Sequence, residues 1–89
     1  MKYVLFYELS ANGMELVRAN YPAHKARVDD FHANKRILMV GTWANPAEGA
    51  MGIFPTREDA EAFVAGDPFV LNGVVGKHTI REWNEALAP

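Results

Sequence analysis

The 89-residue sequence fits a single domain, and a chain of that length buries only about 60–65% of its unfolded surface, so its core is thin and a partner chain would help it. A net charge of −2, a pI near 5.8 and nine scattered Lys and Arg argue against the clustered basic face that nucleic-acid or anionic-membrane binding needs. The chain has no cysteine, which removes disulfides, thiolate metal sites and thiol catalysis, and it has no run of apolar residues long enough to span a bilayer. Met1-Lys2 passes straight into strand-like sequence with no small-residue cleavage site, so a cytoplasmic location is expected.

Tyr3-Val4-Leu5-Phe6-Tyr7 is β-branched and aromatic and closes at the turn composition Ser10-Ala11-Asn12-Gly13, which predicts a first strand over residues 2–9. Residues 10–20 read as a connector. Pro22 suits the first turn of a helix, and Ala23 to Lys35 is free of Gly and Pro, so a first helix is expected to start there. Its apolar positions Val28 and Phe31 continue back to His24 at helical spacing, which puts His24 on the inward face.

Ile37 to Val40, followed by Gly41-Thr42-Trp43, predicts a second strand ending near Asn45-Pro46, and Gly49 to Phe54 a short third one. Thr56 and Asp59 form a variant of the capping box ahead of Ala60, Phe63 and Val64, predicting a second helix over residues 57–65. Gly66 is placed to be its left-handed end, Asp67-Pro68-Phe69 reads as a turn, and Val74 to Trp83 as a fourth strand.

The order β-α-β-β-α-β favours a ferredoxin-like α+β fold: a four-stranded antiparallel sheet in the order 4-1-3-2, with both helices on one face. The first strand offers Tyr3, Leu5 and Tyr7 to one side and Val4 and Phe6 to the other, and the second strand is apolar on both sides too. Two helices cover only one face, so the open face is expected to pack on a second copy as a homodimer.

In this topology the start of the first helix and the exit of the second meet at one end of the domain. That makes His24 and Asp67 candidates for contact, and the Gly41 to Trp43 end of the second strand points the same way. A carboxylate on one ring nitrogen fixes a His tautomer and leaves the other nitrogen as a base, the arrangement of many general acid–base sites. A helix N-terminus disfavours the imidazolium whereas Asp67 favours it. Each residue also has a structural reading: His24 as a hydrogen-bonded core residue, and Asp67 as an N-cap ahead of Pro68, a role that is compatible with a functional one. His32 belongs to the solvated flank of the first helix and His78 to the sheet surface. No His or carboxylate cluster has ligand spacing, so no metal is expected. Trp43 and Phe69 are candidates to line an apolar pocket for a small molecule. Ser10 and Thr42 have no adjacent base, and no phosphate loop or other cofactor motif is present, so no cofactor is expected.

Tyr21-Pro22-Ala23-His24-Lys25-Ala26-Arg27, then Arg36 to Gly41, then Gly66-Asp67-Pro68-Phe69-Val70 before Gly73-Val74-Val75, resemble the YciI-like (YCII-related) domain family over nearly the whole chain. The resemblance implies a homodimer of the dimeric α/β-barrel group with the His and Asp of the two motifs, His24 and Asp67, as the active-site pair. Members often carry Arg where this chain has Tyr21, leaving Arg18, three residues earlier, as the candidate for that charge. Some members place a Ser on the third strand, where Gly49-Ala50-Met51-Gly52 offers no hydroxyl. The expected function is a cofactor-free lyase or isomerase acting on a small organic substrate by proton transfer at His24 and Asp67. The alternatives are a non-catalytic dimeric module that binds a small metabolite or assists an enzyme, and a purely structural assembly domain.

Overall fold

Tyr3, Val4, Phe6 and Tyr7 carry the side chains that pack best on a pleated surface, and they lie in strand β1, Lys2–Leu9, which runs through the interior of the sheet. The structure, a computed structural model, describes all of residues 1–89. After β1 come helix α1 (Gly13–Ala33), β2 (Met39–Thr42), β3 (Ala50–Phe54), α2 (Arg57–Gly66), the short helix α3 (Pro68–Leu71) and β4 (Val75–Trp83), with one 3-10 turn at Pro46–Glu48. Every strand pairing is antiparallel, and the order β2-β3-β1-β4 is the expected 4-1-3-2 read from the other edge.

Two cross-strand rows lie on the helix side of the sheet. Tyr7 pairs with Ala50, which pairs with Thr42, and Leu5 pairs with Gly52, which pairs with Val40. Leu5, Tyr7 and Phe54 meet Phe31, Ile37, Ala60, Phe63 and Val64 in one core cluster. The second helix is as expected at its start, where the Thr56 hydroxyl accepts from the Asp59 N–H at 3.1 Å. The Asp59 carboxylate does not return the bond but pairs with Arg36 at 2.7 Å. On the opposite face, Val4, Phe6, Met51, Ile53 and Trp83 line a shallow depression.

Helix α1 departs from the expectation. It begins at Gly13, nine residues before Pro22, so residues 13–20 are helix and not a connector. Met14-Glu15-Leu16-Val17-Arg18-Ala19 are good helix formers with Glu15 in the first turn, and their propensity carries the helix through Pro22. The proline removes only the bond its own N–H would have given to the Arg18 carbonyl. His24 therefore lies in the middle of a 21-residue helix, out of reach of the partial charge at a helix N-terminus.

Only Gly13 and Phe31 of α1 are buried, so the helix is pinned near its two ends. At the first, a Cβ on Gly13 would stand 2.5 Å from the Val74 carbonyl oxygen, a contact only glycine permits. Near the second, Arg27 donates to the carbonyls of Ala62 and Phe63 at 2.7 and 3.2 Å, tying α1 to the C-terminal turn of α2. Gly66 closes α2 without a left-handed φ; its role is to admit this guanidinium, since a Cβ there would lie 2.6 Å from the Arg27 Cζ. Helix α2 lies directly on β1, β3 and β4, whereas the main backbone neighbour of α1 is α3. The middle of α1 thus stands off from the sheet.

Candidate active site

Three elements converge beneath the middle of α1. Asp67 is the single extended residue between α2 and α3, ending one helix and capping the next, and its backbone turn drives the carboxylate inward, where it is fully buried. Its Oδ1 accepts from the His24 Nδ1–H at 2.7 Å and from the Phe69 N–H at 3.1 Å, and its Oδ2 accepts from the Tyr7 hydroxyl at 2.6 Å. The structural and paired readings of Asp67 are therefore both realised in one side chain. Three donors replace the water that the buried carboxylate has lost.

Burial, followed by the hydrogen bond to Asp67, pushes the Tyr7 phenol far above its ordinary range, so Tyr7 stays a neutral donor. The carboxylate has no hydrogen to give, so Nδ1 of His24 carries the hydrogen of that bond and Nε2 is left with a free lone pair. The imidazole stacks on Phe69 with centroids 3.8 Å apart and planes 4° from parallel, and the edge of Phe63 closes in at 6.3 Å. A ring gripped at one nitrogen and on one face is held in one orientation. Its side chain is only 14% exposed.

Where α1 stands off from β2 and β3 there is a cavity of about 570 Å³ with mainly apolar walls. His24, Tyr7 and Phe69 lie on its wall and Asp67 does not, so the carboxylate acts from behind the imidazole. The cavity exists because the inward residues of β3 are Ala50 and Gly52, which leave empty the space that larger side chains would fill.

Of the residues singled out from the sequence, His24 and Asp67 are in contact, and Phe69 and Gly41 are on the cavity wall. Trp43 and Arg18 are not brought there. Trp43 follows Thr42, whose side chain belongs to the cavity row, and the two-residue period of extended chain sends Trp43 the other way. Arg18 lies on the exposed side of α1, one position past the cavity-lining Val17. His32 is exposed and reaches the far rim of the cavity, and His78 is exposed on β4. Tyr21 lies at the cavity mouth, 49% exposed. The strand facing Ala50 supplies a hydroxyl through Thr42 where β3 has none.

Tyr7 was not among the sequence candidates. A Tyr at a core-facing strand position shares its side with Leu5, and a buried phenol requires a polar partner, a signal that could have found it.

The family model of the YCII-related domain matches residues 1–84. The solved structure of 5-chloro-2-hydroxyhydroquinone dehydrochlorinase (TftG) from Burkholderia phenoliruptrix AC1100, a complex with 2,5-dihydroxybenzoquinone, is similar to this chain with a TM-score of 0.76 and 20% sequence identity. The likeness covers 97% of this chain and 96% of that one, and it is a likeness of fold. No curated protein matches the sequence.

Proposed function

The chain belongs to the YCII-related domain family, and from that premise we propose that it is a small-molecule enzyme of the lyase or isomerase kind, working without a cofactor, in which His24 moves a proton. The observation that carries this reading is the imidazole itself: Nδ1 is committed to Asp67 at 2.7 Å while Nε2 is free beside an apolar cavity. In the proposed step, Nε2 takes a proton from the substrate and the imidazolium keeps its Nδ1–H on the Asp67 carboxylate. The electron pair left on the substrate then either forms a double bond as a leaving group departs with its own pair, or relocates so that the same imidazolium returns the proton to a second atom. Asp67 and Tyr7 are positioning residues here, since Asp67 does not reach the cavity and the Tyr7 hydroxyl gives its hydrogen to Asp67. The dehydrochlorinase activity in the name of the structural neighbour is of the first kind and supports the lyase alternative.

The proposal includes a homodimer through the open sheet face. Val4, Phe6, Met51, Ile53 and Trp83 support it, because with Arg81 and Glu82 beside them they make a mainly apolar patch on the face the helices leave open. A chain without cysteine suits the reducing cytoplasm.

The test is hydrogen–deuterium exchange at the central carbon of pentane-2,4-dione and 1,3-cyclohexanedione, carbon acids within reach of an imidazole base. The protein should accelerate exchange over buffer, and His24→Asn, whose amide reproduces the Nδ1–H donor but has no Nε2, should lose about 10²–10⁴-fold of that acceleration. Equal acceleration by the variant would refute His24 as the base. Binding of the diones without any acceleration would favour the non-catalytic binding module.

A further inference from the structure

The cavity is much longer than the site at its centre. Met14, Val17, Tyr21, His24, Val28 and His32 of α1 all line it, and at about 1.5 Å of rise per residue Met14 and His32 stand roughly 27 Å apart along the helix. His24 is internal to that length, about 15 Å from one end and about 12 Å from the other. Leu9, Tyr7, Leu5, Gly49, Ala50 and Gly52 build the floor, and Tyr7 and His24 meet across it on their shared partner Asp67. A cavity of about 150 Å³ accepts one benzene ring, and this one holds about 570 Å³. His24, Tyr21 and Thr42 meet the cavity near its middle and Lys25, Asp29 and His32 edge it along α1 toward the His32 end, whereas Val17 on one side and Val28, Leu38 and Val40 on the other give it apolar walls.

We propose that the site takes an elongated, largely apolar molecule whose reacting atom is internal, flanked by one apolar arm along Val17 and another along Val28, and not a single compact ring. The proposal rests on the reading of His24 as the proton-transferring group. A ring-sized ligand would leave most of both arms unfilled. An internally activated chain or a two-armed aromatic places its polar, reacting centre against His24 and its apolar ends against the walls.

The probe is a series of symmetrical diones, pentane-2,4-dione, heptane-3,5-dione, nonane-4,6-dione and undecane-5,7-dione, with 1,3-cyclohexanedione as the compact ring. Affinity is measured by calorimetry on the unmodified chain. Each added methylene should tighten binding by roughly two- to fourfold, so the longest member should bind at least about fiftyfold more tightly than the shortest. Val17→Trp and Val28→Trp, each filling one arm, should remove much of that gain. Affinity that is flat with chain length, that is highest for the cyclic dione, or that is undetectable throughout the series overturns the proposal, and this comparison does not depend on whether the variants fold. Chain-length-dependent binding without His24-dependent exchange would refute the proton-transfer reading while leaving the elongated site standing. Exchange that depends on His24 but favours the cyclic dione would do the reverse.

Discussion

Replacing Tyr7 by Phe removes one hydroxyl and nothing else, and that hydroxyl is the donor at 2.6 Å to the Oδ2 of a fully buried carboxylate. A hydrogen bond to a charged group contributes about 1.5–3 kcal/mol, and the ring stays to fill its place in the core, so the expected loss is about 2 kcal/mol at neutral pH. For a domain of this size that corresponds to a fall in Tm of roughly 8–16 °C. The same bond fixes a pH dependence. The Tyr7 phenol is held far above its ordinary value in the folded state, so the folded chain keeps its proton where the unfolded chain releases it. Its contribution is fully present below about pH 10 and falls by about 1.4 kcal/mol per pH unit above that. Every other residue is common to the two proteins and cancels in the comparison. Urea unfolding followed by tryptophan fluorescence should therefore show a gap of about 2 kcal/mol between the natural chain and Tyr7→Phe near pH 7, closing by about pH 11.5 with m unchanged. A gap below about 0.5 kcal/mol at neutral pH, or one that stays constant through pH 11.5, would refute this picture of how Asp67 is held.

Asp67→Asn keeps an oxygen for the Phe69 N–H but removes the charge and presents an NH₂ where a donor was bonded; a loss of about 1–3 kcal/mol is expected in urea unfolding, with exchange activity reduced about 10²-fold or more. Gly13→Ala should cost about 1–3 kcal/mol despite alanine's better helix propensity, because its Cβ would meet the Val74 carbonyl at 2.5 Å; equal or improved stability would show that α1 is not pinned there. Lys2 and then the N-terminal ammonium hold the Glu85 carboxyl down to about 2, so the folded chain keeps the carboxylate charged through pH 3 while its contribution, fully present above the ordinary value of 4.5, is lost as the pH falls from there through about 2. An NMR titration of the Glu85 carboxyl carbon with an ordinary glutamate midpoint would contradict that ion cluster.

The strand positions, the sheet order and the start of α2 were legible because they rest on short-range signals and the element order these set: the β-branched and aromatic run of β1, the apolar run leading into β2, and a hydroxyl cap at Thr56. The meeting of His24 with Asp67 was legible too, although the expected geometry placed His24 in a first turn. A proline at a helix start and one inside a helix look the same locally, and the deciding information was the helix propensity of residues 14–19. Gly66 likewise looked like a left-handed stop, while its reason is the Arg27 guanidinium brought against it from 39 positions earlier in the chain, a tertiary contact no local pattern encodes. The cavity was hidden for the same reason. Ala50 and Gly52 are ordinary residues for a short strand, and only their pairing with Tyr7 and Leu5 beneath a raised helix turns them into a floor.

Everything proposed for the site depends on His24 having one nitrogen tied to Asp67 and the other bare toward the cavity. Nitrogen-15 NMR of the imidazole in its neutral form reads this without an intermediary. The expected spectrum is that of the Nδ1–H tautomer in the natural chain, with an unprotonated Nε2, and a weakened preference for it in Asp67→Asn. A neutral His24 with its hydrogen on Nε2 would contradict the arrangement, because the lone pair would then face Asp67 and no base would face the cavity.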